Sequence, residues 1–122
     1  MTTITEQEIE SFRSRLADHP EGIGALDIIK ECGGNLEDAI ALITLRETGQ
    51  EPERGLSDWL EKSRKVVCQE EFRNDLAGGL IGVLVEPLTI GLAIPPGIAT
   101  VVTVYVFKIG IKRFCESPNP TP

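Results

Sequence analysis

Between Leu76 and Phe107 the chain runs 32 residues with a single formal charge, Glu86. A stretch so poor in charge has to be sheltered from water by protein or by lipid, and that choice limits every fold open to it. The residues before it are crowded with charge: positions 1–75 hold 9 Lys/Arg against 17 Asp/Glu, net −8. Positions 76–122 hold 3 against 2, net +1. At 122 residues there is room for one ordinary domain, or for a small module joined to a short second element.

The acidic front half argues against nucleic-acid binding, which needs a basic footprint to displace counterions from phosphate. Its plainest role is solubility. Cys32, Cys68 and Cys115 are odd in number, far apart and never in a Cys-x-x-Cys pair. That spacing supports neither metal nor redox chemistry, and a reducing compartment is the default expectation. Residues 1–20 contain Glu6, Glu8, Glu10, Arg13 and Arg15 and no apolar run, so no secretory signal is expected.

Three short helices are predicted over residues 4–48. Thr5 and Glu8 have the spacing of a capping box, and Ile9, Phe12 and Leu16 follow on one stripe. His19 and Pro20 break that helix, because the residue before proline is pushed out of the α region. A second helix runs from Ile23 to Cys32, with Leu26, Ile29 and Cys32 on one side, and Gly33-Gly34 ends it. Asn35 caps the third, whose apolar positions Leu36, Ala39, Ile40 and Ile43 recur at i, i+3, i+4, i+7; Gly49 closes it.

The run from Ala25-Leu26 through Gly33, Gly34, Asn35, Leu36, Glu37, Asp38, Ala39 and Ile40 resembles the second and third helices of ubiquitin-associated (UBA-like) domains. It is similar also to the helical module at the front of elongation factor Ts, and in layout to small death-like adaptor modules. The resemblance covers residues 4–48. It implies a compact protein-binding module with Glu37, Asp38 and Ile40 toward the partner. The Met-Gly-Phe-type loop with which UBA domains contact ubiquitin is replaced by His19, Pro20, Glu21 and Gly22, so ubiquitin binding is not carried over.

Residues 49–56 read as a linker, with Gly49, Pro52 and Gly55 among charges. A connecting helix over 57–75 starts at a Ser57 cap and carries a ragged stripe of Leu60, Val67, Cys68, Phe72 and Leu76. Trp59 reads as core filling, with a membrane-interface anchor as the other role. Residues 115–122 form a proline-spaced polar tail, expected to be disordered; Cys115, behind Lys112 and Arg113, reads as an unmodified thiol in a setting that would suit lipid attachment.

Residues 76–114 read first as an apolar, membrane-inserting helical hairpin. Leu88 to Phe107 is charge-free over the ~20 residues that a span requires, but Pro95, Pro96 and Gly97 interrupt it. Positive residues lie on both flanks, Lys62, Arg64, Lys65 and Arg73 before and Lys108, Lys112 and Arg113 after, which puts both ends on the cytoplasmic side. Gly78 and Gly82 form a Gly-x-x-x-Gly face for self-association. Glu86 stands at bilayer depth, where a charge costs about 2.5–3.5 kcal/mol on insertion scales. The competing expectation is a soluble α+β domain, in which the β-branched run from Val101 to Ile111 is a buried strand.

No convergent catalytic groups are visible. His19 is the sole histidine, Ser57 and Ser63 lack a base, and neither glycine pair precedes a Lys-Ser/Thr phosphate loop. No cofactor or metal is expected. The sequence reading is therefore a mainly α, non-enzymatic adaptor or effector on the cytoplasmic side of a membrane. It couples a protein-binding helical module to a self-associating hairpin, with bacterial defence signalling suggested by layout alone. The alternative is a soluble, cytoplasmic protein-interaction domain whose apolar half is a buried core or a homo-oligomer seam.

Overall fold

The computed structural model describes residues 3–50, 54–70, 72, 74 and 82–116. Among the described residues seven helices are defined in chain order: α1 (Glu6–Arg15), α2 (Pro20–Glu31), α3 (Leu36–Thr48), α4 (Leu56–Val67), α5 (Gly82–Leu92), α6 (Pro96–Ile109) and α7 (Ile111–Glu116). Among the described residues no strand occurs; Thr3 and Asn35 form one isolated bridge.

The front helices begin and end where local chemistry directs. The Thr5 hydroxyl accepts from the Glu8 backbone N–H at 3.1 Å, and the Glu8 carboxylate accepts from Thr5 N–H at 2.9 Å, closing the capping box. The Asn35 side chain accepts from Asp38 N–H at 3.0 Å. Gly33, Gly34 and Gly49 all hold positive φ. At Gly34 a Cβ would collide with the Ile4 carbonyl, so the turn that brings Ile4 N–H to the Gly34 carbonyl (2.9 Å) demands glycine. Helix α2 starts three residues before the expected Ile23, because Pro20 is a ready first-turn residue rather than a breaker. Helix α4 likewise starts ahead of Ser57: the N-cap is Gly55, whose N–H donates to Asp58 Oδ2 at 3.1 Å.

Helix α6 is the axis of the fold. From Gly97 to Val106 ten consecutive residues are buried, and α2, α3, α4, α5 and α7 all pack on it. Its β-branched residues would suit a strand, yet a strand needs hydrogen-bonding neighbours that this chain does not provide here. A helix satisfies its own backbone and can be covered on every side. The two threonine hydroxyls inside it bond locally: Thr100 Oγ1 donates to the Pro96 carbonyl at 2.9 Å and Thr103 Oγ1 to the Ala99 carbonyl at 2.8 Å. The strand expected at Val101–Ile111 is thus corrected to helix.

The front helices themselves shelter the apolar segment. Ile9, Leu26, Ile29, Ile40, Ile43 and Leu60 belong to one hydrophobic cluster with Leu84, Leu88, Val101, Val102 and Val106. Each fully buried aliphatic side chain of this size contributes about 1.5–3 kcal/mol relative to exposure. Helices α5 and α6 pack on each other across a short joint at Ala93, Ile94 and Pro95, and the membrane-inserting hairpin expected over 76–114 gains no support from it. No helix among the described residues is long and apolar enough to cross a membrane.

Cys68 and Cys115 form a disulfide with Cα atoms 5.7 Å apart, tying the end of α4 to α7. The expected unpaired thiols at these positions are corrected: two cysteines 47 residues apart meet because α5 and α6 run out and back between them. Cys32 is the remaining free thiol.

Candidate functional site

Between α2, α3 and the first turn of α6 lies a cavity of about 250 Å³. Gly24, Ala25 and Ile28 of α2 form one wall, Ile43 of α3 the other, and Pro96 and Gly97 the floor. Two carboxylates complete the lining, Glu21 from α2 and Glu47 from α3. The opening exists because Gly24 lies mid-helix with no side chain; a Cβ there would meet nothing within 4 Å. Gly97 fits differently: a Cβ would lie 3.2 Å from Ile43 Cγ2 and 3.4 Å from Glu47 Oε1, so the floor is as close to α3 as backbone allows.

The two lining acids feel each other's charge. Some acids of the front helices have found cations: Arg13 pairs with Asp27 at 2.7 Å, Arg46 with Glu31 at 2.8 Å, and Lys108 with Glu8 at 2.8 Å. Among the described residues neither Glu21 nor Glu47 has an ion-pair partner. Partial burial raises the Glu47 pKa above its ordinary value, and the nearby negative charge of Glu21 adds to the rise. The geometry can hold a cation with an apolar stem; it offers no nucleophile beside a base. Among the described residues no group of three or more His, Cys, Asp or Glu could hold a metal ion.

The residues singled out from sequence are scattered. Glu37 and Asp38 are exposed in the first turn of α3, roughly 14 Å along the helix from Glu47 at 1.5 Å per residue. Ile40 is buried in the core and cannot face a partner, which corrects its assignment. Gly78 lies outside the described residues, and Gly82 opens α5. Glu86 is exposed on α5, so its charge carries no burial penalty here. Pro95 and Pro96 start α6 rather than turning a lipid hairpin, and Gly97 packs on Ile43. Lys108 is held by Glu8, while Lys112 and Arg113 are exposed on α7.

Sequence reading missed Glu21, Gly24 and Glu47. One signal was present: Gly22 and Gly24 stand inside a helix, where glycine costs about 1 kcal/mol relative to alanine unless packing or space requires it. Gly22 has the packing reason, since a Cβ there would come within 3.4 Å of Leu16 Cδ1, and Gly24 opens the cavity. Trp59 is half-buried between the cations of Arg54 and Lys62, at 5.4 and 5.6 Å from its ring centre, and packs on the edge of the core.

No known protein family matches the chain, and neither a curated protein nor a solved structure shows significant similarity to it.

Proposed function

We propose that this chain is a non-enzymatic, helical protein-interaction domain whose apolar C-terminal half is its own core. The observation that carries this reading is the burial of every residue from Gly97 to Val106 beneath α2, α3, α4, α5 and α7. With the apolar segment so used, partner binding falls to the acidic outer faces of the front helices, α2 and α3 above all. The test is solution behaviour. Expressed without detergent, the chain is expected in the high-speed supernatant as a monodisperse species, and absent from the floating layer of a liposome gradient. Flotation with vesicles, or solubility only in detergent, overturns the proposal.

One feature supports a second reading, a membrane-associated adaptor: α5 and α6 pack as a hairpin joined by three residues, a shape that could leave the bundle as a unit. The energetic obstacle lies in what is left behind. Lipid would receive α6 without loss, but Leu26, Ile29, Ile40, Ile43 and Leu60 would then face water. The flotation experiment separates the two readings.

A further inference from the structure

We infer that the cavity between α2, α3 and the first turn of α6 receives a lysine or arginine side chain of a basic protein partner; this rests on the interaction-domain reading above. Three features converge on that occupant.

Size comes first. At about 250 Å³ the cavity is smaller than the ~300–1,000 Å³ typical of sites for whole drug-sized molecules. At roughly the 30 Å³ that a water occupies per heavy atom, the five heavy atoms of a lysine side chain need about 150 Å³ and the seven of arginine about 210 Å³.

Polarity comes second. The walls at Gly24, Ile28, Ile43 and Gly97 suit methylene groups, and the two charged groups in the lining are carboxylates. A long basic side chain has this division, with an apolar stem and a charged head. Among the described residues neither Glu21 nor Glu47 has a cation of its own. A guest ammonium or guanidinium supplies the missing charge and relieves the repulsion between them.

Charge balance comes third. The whole chain is net −7, so a second copy is repelled at long range and a basic partner is drawn in.

The probe is a capped tripeptide, acetyl-Ala-Lys-Ala-amide, titrated into the full chain and followed by amide chemical shifts. Saturable shifts are expected at Gly24, Ile43 and Gly97. The same peptide with norleucine for lysine is expected to bind at least tenfold more weakly. E21Q/E47Q is expected to lose at least tenfold in affinity for the lysine peptide and little for norleucine. Gly24→Leu, which fills the cavity from a position with free space, is expected to abolish both; the double variant leaves the fold's packing untouched should Gly24→Leu fail to fold.

Equal binding of lysine and norleucine peptides overturns the inference, as does an unchanged affinity in E21Q/E47Q. Cadaverine binding more than tenfold tighter than the lysine peptide would make this a site for a free diamine and also overturn it. Dimers abolished by E21Q/E47Q would assign the cavity to a second copy and do the same. If the peptide fails while the chain remains a detergent-free monomer, only the cavity assignment falls; flotation with vesicles removes the interaction-domain reading itself.

Discussion

The Glu8 carboxylate joins the two ends of the chain: it accepts from the Lys108 ammonium at 2.8 and 2.9 Å while also capping α1 at Thr5. One side chain thus fixes the start of the front bundle to the last turn of α6. Lys108, expected from sequence at a lipid boundary, finds its counter-charge within the protein.

This pair sets a pH dependence. The Lys108 hydrogen bond, helped by the Thr5 N–H, holds the Glu8 pKa below its ordinary 4.5. A depressed carboxylate contributes stability above its unfolded-state pKa and loses it as pH falls through the folded-state value. Glu8→Gln keeps a side chain able to cap α1 and removes only the ion pair. At neutral pH it is expected to destabilise by under about 1 kcal/mol, since both partners are about one-third exposed. Denaturant unfolding at a series of pH values should show the gap closing on acidification below 4.5 and shrinking in high salt.

Glu47 predicts the opposite sign. Burial and the charge of Glu21 raise its pKa above 4.5, so the folded state binds its proton more readily than the unfolded chain. Ionised Glu47 therefore subtracts from stability at neutral pH, and the loss disappears as pH falls through the raised value toward 4.5. Glu47→Gln is expected to be more stable than wild type at pH 7 and equal to it in acid. Thermal melts of the two proteins across that range check that the two curves converge in acid. A variant that gains stability while losing the lysine peptide would mark this position as one where binding and stability conflict.

What could be read in the sequence was local. The caps at Thr5, Asn35 and Gly49 and the stripes of α1 and α3 rest on neighbours three or four residues away, and they formed as the residues directed. What could not be read was long-range. Nothing near Val101–Val106 says that α2 and α3 will cover it, because a helix buried on all sides and a membrane helix have the same unbroken apolar composition. Cys68 and Cys115 meet through the hairpin between them, which spacing along the chain cannot show. The cavity escaped for a related reason: Glu21 and Glu47 lie on different helices and line one cavity only once α2 and α3 pack on Gly97.

The disulfide closes a loop that contains both α5 and α6, and Arg64 reinforces it by donating to the Phe114 carbonyl at 2.8 Å. Chain entropy alone gives a cross-link over this separation about 4 kcal/mol, by constraining the unfolded state. Cys115→Ser is expected to lower stability by up to that amount and to make Tm insensitive to reductant, whereas wild type melts lower in dithiothreitol. Alkylation followed by intact mass should label one cysteine in denaturant without reductant and three after reduction. In the native protein that one, Cys32, should react slowly at neutral pH, because burial and the nearby Asp38 and Glu31 raise its thiol pKa.

Two glycines on the same cavity should respond oppositely to a side chain. At Gly24 an added methyl meets nothing within 4 Å and the helix gains alanine's propensity, so Gly24→Ala is expected to stabilise by about 0.5–1 kcal/mol. At Gly97 the methyl lands 3.2 Å from Ile43 Cγ2 and 3.4 Å from Glu47 Oε1, so α3 has to give way to it. Gly97→Val adds more bulk at that contact and is expected to cost about 1–3 kcal/mol through overpacking, in spite of removing a helical glycine. Urea unfolding of both variants measures the difference. The comparison also tests where α6 lies: were Gly97 facing lipid or solvent, a larger side chain would meet no resistance from α3, and the two substitutions would have the same sign.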